Sequence, residues 1–323
     1  MPLTIQTIAP GFWNRILKCV RSALPQGTKT AVWLLKITIP VSFAVFLLDY
    51  SGALTIIAGW VAPLFRLIGL SGEASVVLIT AMFTNIYSAI IVMTTLGTGY
   101  REGTILAVMC LIAHSLIVET AIQKRTGSKP WRMIFTRITA SLLAAILLNW
   151  LLPGEMTENQ GILLRHSADF MPAFEEWLKA IAWTTLKIVV LVNLLLILQK
   201  ILNEFDLIKW ILKPFIPLLK IMGLPANTGF LWMIAYTLGL SSYGGAIMIH
   251  QSGEGKLTRE EADLLNHHIA ISHSQLEDTL LFASIGYNLA ILIFPRILIA
   301  ILYVWIRKLE LYICRNNRNK QIK

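Results

Sequence analysis

The sequence is poor in charge and in cysteine. Only 14% of its 323 residues are Asp, Glu, Lys or Arg, against about a quarter in ordinary soluble domains. That shortage excludes an ordinary soluble globule. The three cysteines, Cys19, Cys110 and Cys314, are far apart and form no CxxC pair, which argues against a disulfide framework or a thiolate metal site. Acidic residues are fewer than basic ones, 18 against 28, for a net charge of +10. In a soluble chain that surplus would suggest nucleic acid. In an apolar chain it reads as basic residues beside a membrane, so no nucleic-acid partner is expected. No GxSxG nucleophile elbow and no HExxH zinc motif is present, so an enzyme is not expected. The first twenty-odd residues carry Pro10, Asn14, Arg15, Lys18 and Arg21, with no small-residue cleavage site after an apolar core. The first apolar span is therefore expected to be an uncleaved anchor.

Apolar residues are what the sequence has in excess. They make up 56% of the chain, and mean hydropathy is +0.66. A bilayer core takes about 20 apolar residues per helix. Windows that qualify are 30–50, 75–95, 104–123, 131–152, 180–201, 227–250, 262–282 and 284–306. Two further segments, 53–70 and 206–223, are apolar but carry Pro63 and Arg66, or Lys209, Lys213, Pro214, Pro217 and Lys220. These two could span, bend back or lie in the interface with snorkelling cations. Residues 9–24 read as a basic amphipathic helix or a plain polar arm. The expected fold is an all-α integral membrane bundle of about ten segments.

Sidedness follows from Lys and Arg. The loop with Lys124, Arg125, Lys129 and Arg132, and the tail from Arg307, are placed in the cytoplasm with the N-terminus. The connection 153–178 holds Glu155, Glu158, Asp169, Glu175 and Glu176 against Arg165, and is placed outside. A bacterial-type inner membrane is the expected location. The chain divides into a basic arm (1–28), a first repeat (29–152), an external connection (153–179), a second repeat (180–307) and a basic tail (308–323).

The repeat rests on polar residues. IAHSLIVETAIQ (Ile112 to Gln123) aligns with AISHSQLEDTLL (Ala270 to Leu281). His114 matches His273, Ser115 matches Ser274, Glu119 matches Asp278 and Thr120 matches Thr279, all 159 positions apart. Alignment of apolar helices in general explains leucine on leucine, but not these four together. An odd number of crossings in each copy forces opposite orientations, the plan of many secondary transporters.

Three groups of residues could carry chemistry. Ser115–Glu119 and Ser274–Asp278 are i,i+4 pairs, placed on one helix face each. Glu119 could pair with nearby Lys124 or Arg125, whereas Asp278, next to Glu277, has no basic neighbour in sequence. A carboxylate in a membrane is kept only facing protein or water. His267, His268 and His273 could relay protons or simply be satisfied core residues. No set of three close His or carboxylate ligands stands out, so neither a metal nor a cofactor is expected. In chain order the third and eighth of the ten segments, 75–95 and 227–250, are interrupted by Thr84, Asn85, Tyr87 and Ser88, and by Gly239, Ser241, Ser242, Tyr243, Gly244 and Gly245. Matched breaks point to a binding site near the midplane; tight packing of small residues is the bland alternative.

The strings IAHSLIVETAI and NHHIAISHSQLEDTLLFASIG resemble the nucleoside recognition, or Gate, domain. That domain is paired in spore-maturation-like membrane proteins, occurs in ferrous-iron transporters, and is distantly similar to concentrative nucleoside transporters. The resemblance covers 30–150 and 180–306 and implies inverted repeats with a translocating role, without implying that nucleosides bind. The chain has no GxxxxGK[ST] for an attached GTPase, and its matching helices lack paired cysteines, so nucleotide-driven iron uptake is not expected. The expected function is a secondary transporter of a small polar or anionic solute by alternating access, coupled to protons or sodium. A flippase for a phosphate-bearing lipid-linked substrate and a non-transporting assembly factor are the alternatives. The expected partners are the solute or ion and the bilayer, with homo-oligomerisation left open.

Overall fold

The computed structural model describes residues 9–152, 169–205, 207, 213–240, 245, 248–249, 252 and 257–321. Among them there are helices and turns but no strand. In chain order the main helices are α1 (Ala9–Tyr50), α2 (Ala53–Leu67), α3 (Ala74–Phe83), α4 (Ile86–Leu96), α5 (Tyr100–Ala113), α6 (Leu116–Arg125), α7 (Pro130–Leu151) and α8 (Phe170–Glu204). Then come α9 (Ile216–Ile221), α10 (Gly229–Leu238), α11 (Arg259–Ser272), α12 (Glu277–Ser284) and α13 (Leu289–Gln321). Four stretches of the described helices are long and apolar enough to cross a bilayer: Tyr100–Arg125, Pro130–Leu151, Phe170–Leu202 and Leu289–Asn317.

The basic arm and the first span form one helix. Residues 9–24 and 30–50 both lie in α1, which runs through Pro25 and Pro40. Its partner is α8, antiparallel to it. Arg15 meets Glu204 at 2.8 Å at one end. At the other end Phe46 packs its ring on Phe170, Phe174 and Trp177 at 6.0, 6.2 and 5.6 Å. This aromatic contact supplies the tertiary support that keeps a helix with internal prolines straight enough to pack.

One window read as a crossing from sequence does something else. Arg101, in the first turn of α5, donates to the carbonyls of Leu152 (3.1 Å), Asn149 (3.0 Å) and Gly69 (3.5 Å). Glu102 accepts the N–H of Ser71 at 2.6 Å. The α2–α3 turn, the start of α5 and the end of α7 therefore share one end of the bundle. α4 ends just before α5 starts, so α3 and α4 are the arms of a hairpin with its tip at Thr84–Asn85. Arms of 10 and 11 residues reach about 15 Å at 1.5 Å per residue, half of a core of about 30 Å. The window 75–95 thus enters and leaves on the same side.

Segment 53–70 becomes α2. Ser42 of α1 lies 3.1 Å from Thr95 at the end of α4, so α1 reaches the same end, and α2 starts and finishes there without crossing. Its uncovered face carries Ile56, Trp60, Leu64 and Leu67, all exposed, an apolar stripe suited to the lipid interface. Of segment 206–223, the structure describes residue 207 and a short stretch from 213 onward that contains α9.

The centre of the molecule is the antiparallel pair α5–α6 and α11–α12. At one end Tyr287 Oη lies 3.5 Å from Thr98 Oγ1. At the other, the Asn266 amide donates to Gln123 O, Thr126 and Ser128 at 3.3, 2.9 and 3.0 Å. α7 and α13 flank this pair. Arg307 on α13 binds Asp263 at 2.6 Å and Glu310 at 2.8 Å, and Glu310 also takes Arg132 from α7.

Candidate functional site

Both central spans are broken in the middle, a feature absent from the sequence-based expectation. α5 stops at Ala113 and α6 starts at Leu116; α11 stops at Ser272 and α12 starts at Glu277. Ser115 (φ 47°) and Ser274 (φ 51°) are the positive-φ residues other than glycine among the described residues. Such backbone is uncommon for residues with a Cβ and is held by its surroundings. What holds it is the tip of a short helix. Ser115 donates its N–H to Ala81 O (2.9 Å) and its Oγ to Thr84 O (3.1 Å), at the end of α3. Ser274 donates its N–H to Ala235 O (3.0 Å), and Gln275 donates its N–H to Tyr236 O (2.5 Å), at the end of α10. Helix ends leave orphan carbonyls, and here the orphans of two short helices take the orphan N–H groups of two breaks.

Two arginines that the sequence reading did not single out complete each break. Arg137 donates Nε to Ile112 O at 2.7 Å and Nη2 to His114 O at 2.6 Å. Arg296 donates Nε to Ile271 O at 3.2 Å and Nη2 to His273 O. Donors and acceptors in the two sets are 159 positions apart, the same spacing as His114 and His273. Both guanidinium groups are fully buried. A cation at a helix C-terminus is favoured by the dipole, so each arginine caps a severed helix. That spacing is the sequence signal that could have found them.

The charged centre lies where the two breaks face each other. The rings of His114 and His273 lie with centroids 5.1 Å apart, tilted 38° to one another. The pairing crosses between the copies: His114 Nε2 is 3.2 Å from Asp278 Oδ2, and His273 Nε2 is 3.0 Å from Glu119 Oε2. His114 Nε2 also lies 3.5 Å from Glu119 Oε1. Arg137 Nη1 holds Glu119 at 2.8 Å, whereas Arg296 Nη1 donates to Gln275 Oε1 at 3.3 Å and Thr279 Oγ1 at 3.1 Å. All four of the His and acidic residues are buried. The Nε2 atoms of His114 and His273 and a Glu119 oxygen fall within 4.8 Å of one another. Three groups able to bind a metal are thus assembled from stretches too far apart in sequence to suggest it.

Several pairings expected from sequence are replaced. Glu119 pairs with Arg137 and His273, because α6 starts just before it and turns it inward. Ser115 precedes α6 as its N-cap residue, so Ser115 and Glu119 are not two positions within one helix. His273 caps the end of α11 and does not pair with Glu277. Glu277 instead accepts the Tyr87 hydroxyl at 3.1 Å, which ties the hairpin to the centre. Asn85 caps α4 and accepts the Ser88 N–H at 3.0 Å and its hydroxyl at 3.3 Å. His268 accepts the Trp232 indole N–H from α10 at 3.2 Å, and His267 bonds Asp263 O one turn back on its own helix at 2.7 Å. The interruption read in segment eight is seen where α10 ends at Gly239 (φ 81°). A Cβ there would meet the Ser274 side chain. Ser241, Ser242, Tyr243 and Gly244 lie outside the described residues.

A cavity of about 330 Å³ opens at the Tyr100 end of the bundle, lined among others by Met93, Thr94, Thr98, Trp183, Thr184 and Tyr287. It lies between the end of α4, the first part of α8 and the turn after α12.

Residues 31–129 match the Gate family, described as nucleoside recognition. The Gate match runs from within α1 through α6 and ends before α7. It takes in Asn85, Tyr87, Ser88, His114, Ser115 and Glu119. Over 293 residues the chain is 27% identical to the uncharacterized membrane protein YvoD of Bacillus subtilis (strain 168), covering 88% of this chain and 92% of that protein. No solved structure matches. Residues 31–129 are thus similar to a Gate domain, and the chain as a whole to a membrane protein.

Proposed function

We propose that the protein is a secondary transporter that moves a small polar or anionic solute by alternating access between two inverted repeats. One observation carries this reading. Two broken spans cross antiparallel, and each supplies the histidine that meets the other's carboxylate. In lipid, broken backbone is tolerated only against protein or a polar cavity, and paired breaks at the midplane are where transporters bind. The first copy crosses by α1, α5–α6 and α7, and the second by α8, α11–α12 and α13. Three crossings per copy is an odd number, so the inversion argued from five crossings survives the loss of α2 and the hairpin as crossings. The threonine-lined cavity is the entrance on the side facing outward, and Tyr87 and Asn85 at the hairpin tip bring polar groups to the solute path. Lys124, Arg125 and Arg315 at one end of the bundle support a cytoplasmic face there, with both termini on that side of a bacterial-type inner membrane.

The test is a thermal-stability screen of the purified protein against nucleosides, carboxylates and phosphates, followed by uptake of the hit into proteoliposomes. Asp278→Asn is expected to keep the protein folded and abolish uptake. Full uptake by that variant would remove the His114–Asp278 pair from the mechanism.

A further inference from the structure

The orientation of the two central histidines raises a problem that a metal ion resolves. His114 Nδ1 lies 3.0 Å from Cys110 O, and His273 Nδ1 lies 2.7 Å from Ile269 O. A carbonyl oxygen only accepts, so in each ring Nδ1 carries the proton and Nε2 presents its lone pair. Both Nε2 atoms aim at carboxylate oxygens, at 3.0, 3.2 and 3.5 Å. In the neutral rings acceptor then faces acceptor at all three contacts, inside protein, where such repulsion is strong. Arg137 offsets part of it at Glu119, and a cation between the groups, a proton or a metal ion, removes the rest. A proton on Nε2 of His273 would serve its single carboxylate. A proton on His114 would have to serve Glu119 and Asp278 at once.

We propose that His114, His273 and Glu119 form a buried site for one divalent transition-metal ion, with Asp278 beside it on His114. Ligands at about 2.0–2.2 Å in a tetrahedral site lie about 3.3–3.6 Å apart, and the Glu119 oxygens stand 3.5 Å from His114 Nε2 and 3.0 Å from His273 Nε2. The donor set, two imidazoles and one carboxylate with a fourth position open, suits the zinc class and not calcium or magnesium, which take oxygen cages. The surroundings are those of a metal centre: each imidazole N–H is held by a backbone carbonyl, and Arg137 orients the Glu119 carboxylate at 2.8 Å, as outer groups do around bound metals. The site uses both repeats, so the ion would pin them together across the breaks. The proposal stands whether or not the chain transports a solute.

The test uses the full chain in detergent, stripped with chelator. Cobalt(II) alone is titrated in while visible absorption and the melting temperature are followed; zinc(II) is then added as competitor. Expected are one cobalt per chain with the strong bands of four-coordinate cobalt, a rise in melting temperature, and loss of the bands on adding zinc. His114→Asn and His273→Asn each keep a donor for the helix carbonyl and remove Nε2; each should weaken cobalt binding by roughly 100-fold. His267→Asn, within α11 and turned to Asp263, should leave it unchanged. No bands and no thermal shift with the parent protein would mean that protons alone fill the site, and would overturn the proposal. Bands of equal strength in both Asn variants would overturn it as well. If those variants fail to fold, X-ray absorption on the cobalt-loaded parent decides: two imidazole ligands support the site, and none overturns it.

Discussion

At the scale of single residues, the two buried arginines tie each break to the charged centre. Arg137 satisfies the carbonyls of Ile112 and His114 and pairs with Glu119. Removing one partner of a buried ion pair costs about 3–5 kcal/mol, because the other charge is left uncompensated. Arg137→Met is therefore expected to lower the melting temperature sharply, and Arg137→Met with Glu119→Gln to recover part of the loss; both are read by thermal unfolding in detergent. The crossed pairing makes a second expectation. A double-mutant cycle on His114 and Asp278, or on His273 and Glu119, should show coupling of about 0.5–3 kcal/mol, while one on His273 and Asp278 should be nearly additive. Equal coupling in all three cycles would contradict the crossed arrangement.

At the scale of elements, the breaks decide the architecture. Ser115 and Ser274 take left-handed backbone because the carbonyl ends of α3 and α10 stand ready to receive their N–H groups. Ser115→Ala keeps the strain and loses the hydroxyl bond to Thr84, at a cost of about 1 kcal/mol; Ser115→Gly loses the same bond and relieves the strain, so it should melt above the alanine variant. The hairpin depends on Asn85, which caps α4. Asn85→Ala is expected to cost about 1 kcal/mol and to loosen the tip that Tyr87 fastens to Glu277, read as faster hydrogen exchange across residues 84–90. The interruption in segment three was legible in the sequence, since Thr84, Asn85 and Ser88 all offer side-chain oxygens to freed backbone groups. That the chain reverses there was not, because a kink and a reversal need the same residues. The breaks at His114–Ser115 and His273–Ser274 were also hidden: these dipeptides contain neither glycine nor proline, and the acceptors that stabilise their backbone come from other helices.

At the scale of the whole molecule, the ends of the bundle segregate. Cysteine placed singly at Arg125 or Asn317, in a background with exposed Cys314 replaced by serine, should react with an impermeant thiol reagent from one side of the membrane. Cysteine at Glu175 should react from the other side. All three native positions are exposed, and Cys19 and Cys110 are buried. Labelling of all three from a single side would refute the crossing scheme. Apolar excess, basic loops and a 159-residue polar echo were enough to read from the sequence a helical membrane protein with a duplicated site, because desolvation dictates where charge can stay and repetition needs no coordinates to be seen. Which histidine meets which carboxylate, which arginine caps which helix, and which apolar window turns back were settled only in three dimensions. Those partners lie in different helices, and no local spacing encodes the distance between elements that tertiary packing brings together.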